Sequence, residues 1–174
     1  MTYKHLVLGG ARSGKSRYAE ECAQSRHLKT EQPLVYLATA TADDSEMAQR
    51  IKQHQDRRNA DWLLLEEPIY LSDALTQAPS KSVILIDCLT LWLSNCLHQK
   101  LWNEQRRAFL NAVSSTKQEL IIVSNEVGSG IVPMGQLSRE FVDQSGWLHQ
   151  ELAEHCSKVD LVVAGLPLTL LEKD

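Results

Sequence analysis

Eight residues near the start of the chain, Gly9-Gly10-Ala11-Arg12-Ser13-Gly14-Lys15-Ser16, have the spacing Gly-x-x-x-x-Gly-Lys-Ser, which suits the holding of a row of phosphates. Glycines at both ends let the backbone curl until successive N–H groups point into one hollow. A helix starting at the end of the segment would add the partial positive charge of its N-terminus. The Lys15 ammonium can reach the outer phosphates of a nucleoside triphosphate, and the Ser16 hydroxyl is an oxygen donor for a bridging Mg²⁺. All eight residues are predicted to bind nucleotide, with Lys15 also catalytic. The competing reading is a glycine-rich turn that holds nothing. The apolar run before the motif and the helical pattern after it weigh against that reading.

A phosphate loop needs an acidic partner at the end of another strand, to orient the metal or its water. Val83-Ile84-Leu85-Ile86-Asp87 has this form, so Asp87 joins Ser16 as a predicted metal contact. The competing reading is that Asp87 caps the helix from Leu89, and one role does not preclude the other. Between these two sites, Arg50, His54 and Arg58 recur at four-residue steps, which places them on one line of a helix. Like charges so spaced repel, and an anionic partner would offset the cost. A neutral imidazole between guanidinium groups is suited to attack phosphorus. An ordinary solvated helix face explains the same spacing, and periodicity does not choose between the two.

The elements that must position these residues follow from the apolar pattern. Strands are predicted at Lys4–Leu8, Leu34–Ala38, Trp62–Leu65, Ser82–Ile86, Glu119–Asn125 and Val159–Ala164, with an edge strand at Leu168–Leu171. Helices are predicted at Lys15–Arg26, at Ser45–Asn59 and in a short stretch after Pro68. A further helical region from Leu89 to Lys117 breaks near Lys100, and the longest helix runs from Ser138 to Lys158. Gly128 to Pro133 reads as a loop. Continuous apolar strands alternating with helices predict an α/β fold, a mostly parallel sheet with helices on both faces.

At 174 residues the chain fits one domain over residues 1–174, able to bury roughly 70% of its unfolded surface. Hydrophobic residues at 43% and charged residues at 23% are ordinary for a folded protein. A net charge of −4 supplies no general attraction for polyanions, so nucleic acid is not an expected partner. The four cysteines, Cys22, Cys88, Cys96 and Cys156, lack metal-site spacing and read as reduced core thiols. No leader pattern and no span-length apolar run is present, so a cytoplasmic protein is expected. No Asn-Lys-x-Asp guanine motif occurs. No transporter signature or basic surface does either, which disfavours switches, transporters and helicases and leaves a small-molecule transferase.

Several further segments occur in the order of one known family. They are Gly9 to Arg17 with Ala19-Glu20, Tyr36-Leu37-Ala38-Thr39, Glu46-Met47-Ala48 with Arg50-Ile51 leading to His54 and Arg58, Trp62, Glu66, Asp87-Cys88-Leu89-Thr90, and Asn125 to Pro133. Over nearly its whole length the chain resembles the bifunctional adenosylcobinamide kinase / adenosylcobinamide-phosphate guanylyltransferases of cobalamin biosynthesis. The resemblance implies a RecA-like P-loop NTPase fold, a homotrimer, and two reactions. ATP or GTP phosphorylates the aminopropanol hydroxyl of adenosylcobinamide, and GMP is then passed from GTP, through a histidine, to adenosylcobinamide phosphate. His54 matches the guanylylated histidine. Ala38, Thr39, Ala40, Gln55, Asp56, Arg57, Arg58, Glu66 and Asp87 match positions that contact GTP. Two positions depart from the family's pattern: Asp87 stands where relatives can have Glu, and Gln53 replaces a histidine that can precede the nucleophile. The alternatives left open by the residues are a P-loop kinase of another alcohol and a nucleotide-binding regulator without transfer chemistry.

Overall fold

Apolar runs such as Val83–Asp87 and Glu119–Asn125 have too few polar positions to face water on either side, so they are stable only between two layers. The computed structural model describes residues 2–40 and 62–173. In it the strands β1 (Lys4–Gly9), β2 (Leu34–Ala38), β3 (Trp62–Glu66), β4 (Val83–Asp87), β5 (Glu119–Asn125), β6 (Lys158–Val163) and β7 (Leu166–Glu172) build one sheet. Its order is β3-β2-β4-β5-β1-β6-β7. Every neighbouring pair is parallel except β6 with β7.

Period-two alternation divides the core into two layers. Leu6, Leu8, Ile84, Ile86, Leu120 and Ile122 point to one face, where α2 (Leu71–Gln77), α3 (Leu89–His98), α4 (Trp102–Ser115) and α5 (Gln136–His155) cover them. Val7, Val83, Leu85, Ile121 and Val123 point to the other, against Ala19 and Ala23 of α1 (Lys15–Thr30). Helices therefore lie on both faces, as predicted. Trp92 anchors the larger layer, with ring centroids 5.2 Å from Trp102 and 5.0 Å from Phe109. Its indole N–H donates to the Ile69 carbonyl at 2.7 Å, so the buried ring leaves no polar atom unpaired.

Boundaries shift where local signals were weak. α1 continues to Thr30, beyond the predicted Arg26, and stops where Glu31 turns left-handed at φ 57°. The helical region after Leu89 divides at Lys100, also left-handed at φ 58°, into α3 and α4. α5 ends at His155, not Lys158, because the Ser157 N–H is taken by the Lys4 carbonyl and the chain is already joining the sheet. The predicted helix Ser45–Asn59 lies outside the described residues. No helix among the described residues is long and apolar enough to cross a membrane.

The parallel register brings the strand ends to one edge. Gly9 is level with Asn125, Asp87 with Val123, and Ala38 with both Asp87 and Glu66. β5 lies between the strand that leads into the loop and the strand that ends in Asp87. In open parallel sheets this carboxyl edge is where ligands bind.

Candidate active site

The loop after β1 is shaped by residues that tolerate unusual backbone angles. Arg12 and Gly14 are left-handed at φ 56° and 92°, and the Ser13 N–H turns back to the Gly10 carbonyl at 3.3 Å. A β-carbon on Gly9 would collide with Ser13 Oγ and approach the Val162 carbonyl to 2.7 Å. The position therefore requires glycine, whereas Gly10 has open space around it. No side chain caps the N-terminus of α1, and its first turn contains no acid. The N–H groups and the positive end of the helix dipole are thus not neutralised by the helix's own first turn, as an anion site requires.

Lys15 is buried. Its ammonium donates to the Gly10 carbonyl at 3.1 Å. Burial pushes its pKa down, while Cys88 and the Asp87 carboxylate pull it back up, so the loop and the end of β4 share one electrostatic environment. Burial also pushes the Cys88 thiol up to about 11, and the Asp87 charge adds to this. The thiol therefore stays protonated and unreactive at neutral pH. The Tyr36 hydroxyl donates to Asp87 Oδ2 at 3.2 Å. Thr39 ties the ends of β2 and β4 together: its hydroxyl donates to the Cys88 carbonyl at 2.7 Å and accepts the Cys88 N–H at 2.9 Å. Asn95 of α3 braces the same point through the Thr39 and Pro68 carbonyls, both at 3.2 Å.

Of the predicted site residues, Gly9 to Ser16, Ala38, Thr39, Ala40, Glu66 and Asp87 all gather at the carboxyl edge of the sheet. His54, Gln55, Asp56, Arg57 and Arg58, with Arg50, lie outside the described residues. Ser16 and Asp87 supply a hydroxyl and a carboxylate beside the phosphate cradle. These hard oxygen donors suit Mg²⁺ better than a softer metal. Among the described residues no cluster of three or more His, Cys, Asp or Glu could hold a metal alone.

Two supports escaped the sequence reading. The chain turns from β6 to β7 through Ala164 and Gly165, both left-handed at φ 53° and 78°, the geometry of a two-residue hairpin turn. The Gly165 N–H donates to the Ser13 carbonyl at 2.8 Å, so this turn buttresses the phosphate loop. The signal was a glycine between two apolar runs, which the strand prediction through Ala164 passed over. The second support is His149 of α5, next to Leu148 on the helix's buried stripe. Its Nε2 lies 2.8 Å from Ser124 Oγ. Ser124 Oγ is in turn 3.5 Å from Thr90 Oγ1, which accepts the Asn125 N–H at 2.7 Å. Burial lowers the His149 pKa to about 4 against the opposing charge of Glu126, so the ring is neutral at pH 7.

Behind the loop, on the α1 face, Asp160 of β6 is fully buried. It accepts hydrogen bonds from Tyr18 at 2.6 Å and from His5 Nε2 at 2.8 Å. Burial alone would raise the Asp160 pKa, but hydrogen bonds from Tyr18 and Thr169 and the nearby His5 hold it below the usual range. Burial lowers the His5 pKa despite the Asp160 charge, so a neutral imidazole lies beside an ionised carboxylate.

A doubly covered parallel sheet with this loop at its carboxyl edge defines a P-loop nucleotide-binding α/β protein. Solved structures agree on the fold. One ATPase domain superposes with a TM-score of 0.52 over 91% of this chain and 68% of its own, at 15% identity. A Pyrococcus horikoshii protein superposes at 0.57 over 99% and 87%, at 11% identity. The family model described as cobinamide kinase / cobinamide phosphate guanyltransferase matches residues 5–170, and the chain belongs to that family. The bifunctional adenosylcobalamin biosynthesis protein CobP of Pseudomonas aeruginosa is 47% identical over 171 residues, covering 96% of each chain. Its counterpart CobU of Salmonella typhimurium is 34% identical, covering 92% of this chain and 96% of its own.

Proposed function

We propose that this chain phosphorylates the aminopropanol hydroxyl of adenosylcobinamide with ATP or GTP, and then converts the product to adenosylcobinamide-GDP with a second GTP. The observation that carries this reading is a complete phosphate loop facing Asp87 at the sheet edge, in a chain whose family is the cobinamide kinase / cobinamide phosphate guanyltransferases. In the first reaction the alcohol oxygen bonds to the γ-phosphorus, the bridging P–O bond breaks, and the nucleoside diphosphate leaves with the hydroxyl proton lost to solvent. Gly9 to Ser16 cradle the phosphates through backbone N–H groups, and Lys15 neutralises charge on the outer oxygens. Ser16 and Asp87 hold Mg²⁺, which offsets phosphate charge when bound.

In the second reaction a nitrogen of His54 bonds to the α-phosphorus of GTP and pyrophosphate leaves. A phosphate oxygen of adenosylcobinamide phosphate then bonds to that phosphorus, and the P–N bond to His54 breaks. Ala38, Thr39, Ala40, Gln55, Asp56, Arg57, Arg58 and Glu66 contact the nucleotide in this reading. The enzyme works in the cytoplasm as a homotrimer, each chain one domain. The test is incubation with GTP labelled at the α-phosphate. The expected result is a protein adduct that survives alkali and is lost in acid, and that is absent from His54→Ala. Absence of any adduct from the parent protein overturns the covalent route.

A further inference from the structure

Asn125 ends the strand that runs through the middle of the site. In the sheet it is level with Gly9, and Val123, two residues before it, is level with Asp87. Along β5, Leu120 and Ile122 point to the α2–α5 layer, and Ile121 and Val123 to α1. Alternation continues past them. Ser124 meets His149 of α5, so Asn125 belongs to the opposite face, which Tyr36, Asp87 and Lys15 share.

Its carboxamide makes no hydrogen bond to any described residue, while its backbone is tightly fixed. The Asn125 N–H is held by Thr90 at 2.7 Å, and Ser124 is held by His149 at 2.8 Å. The next residue continues the ladder through the Glu126 N–H to the Gly9 carbonyl at 3.0 Å. Elements β1, β5, α3 and α5 thus fix the backbone beneath a half-buried amide whose two donors and one acceptor oxygen meet no partner among the described residues. An amide on so fixed a backbone, at the sheet edge and on the face that Lys15 and Asp87 share, is preorganised for an anion of tetrahedral oxygens.

We infer that Asn125 is a catalytic residue of the phosphoryl-transfer step, donating its amide N–H to an oxygen of the γ-phosphoryl group as that group moves from the nucleotide to the acceptor alcohol. Thr90, Ser124 and His149 position it. The inference rests on the kinase reading above, so its test includes one measurement that needs no acceptor. In the full chain, Asn125→Ala is expected to lower kcat for adenosylcobinamide phosphorylation about 100-fold, the usual loss on removing one such donor. Formation of the α-labelled GTP adduct is expected to fall by less than about tenfold, because that reaction proceeds at the α-phosphorus. Asn125→Asp, the same shape with a repelling charge, is expected to rescue nothing. Separately, the preference for a non-hydrolysable triphosphate over the diphosphate, read as a ratio of Kd values, should narrow in Asn125→Ala. A kcat within threefold of the parent, or equal losses in both reactions, overturns the role of Asn125. A parent protein inactive on adenosylcobinamide overturns the kinase reading instead, and the Kd ratio then decides Asn125: an unchanged ratio sinks it.

Discussion

His149 should give the protein a measurable sensitivity to mild acid. Its folded-state pKa is about 4 against 6.5 for an unperturbed histidine, because burial disfavours the charged ring. Between those values the unfolded chain binds a proton that the folded chain refuses, so stability falls as pH drops from 6.5 towards 4 and is level below that. The full window corresponds to roughly 3 kcal/mol at about 1.4 kcal/mol per unit. Between pH 7 and pH 5 linkage leaves about 2 kcal/mol, and solvent reaching the partly exposed ring reduces this to about 1–2 kcal/mol. Other groups titrate in the same range, including His5, whose pKa is also lowered by burial. Comparison with His149→Gln cancels them, since glutamine can still donate to Ser124 but carries no proton equilibrium. Urea unfolding followed by tryptophan fluorescence at pH 7, 6 and 5 should show the parent losing about 1–2 kcal/mol more than the variant. Parallel losses, within about 0.5 kcal/mol, would refute the assignment of a neutral, desolvated ring.

Three further outcomes follow from the site. Gly9→Ala, whose new methyl would meet Ser13 and the Val162 carbonyl, should weaken nucleotide binding by more than about tenfold in a fluorescence titration. Gly10→Ala, in open space, should change it far less. Tyr18→Phe removes a donor from the buried Asp160 carboxylate and should cost about 1.5–3 kcal/mol in urea unfolding at pH 7. Thr39→Val cuts both hydrogen bonds that join the ends of β2 and β4. It should lower kcat of the kinase reaction while melting within a few degrees of the parent, and an unaltered kcat would count against the clamp.

The middle of the sheet was legible because its central strands are buried on both faces. Val83–Asp87 and Glu119–Asn125 have no polar alternation to confuse with a surface strand, and they appear within a residue of prediction. The phosphate loop was legible because backbone curvature is encoded in glycine spacing. Asp87 stood out in the sequence because an acid at the end of so apolar a run is conspicuous, and the structure puts it at the carboxyl edge, level with Ala38. Gly165 and His149 were not found, since each acts through a residue remote in sequence, Ser13 and Ser124 respectively. Neither pairing leaves a periodic trace. The end at His155 was misplaced for a related reason, since the Ser157 N–H is claimed by the distant Lys4 carbonyl, whereas the end at Thr30 is set locally by the left-handed Glu31.

The hydrogen bond from Gly165 to Ser13 bears on how the protein comes into being on the ribosome. β1, residues 4–9, is flanked by strands that begin at residues 119 and 158, and the loop after it leans on a turn at residues 164–165. In a nascent chain the nucleotide motif therefore emerges well before the turn that buttresses it, and the Ser13 carbonyl gains this donor only when translation has passed Gly165. The support that holds the loop in shape is thus among the last parts of the fold to be made.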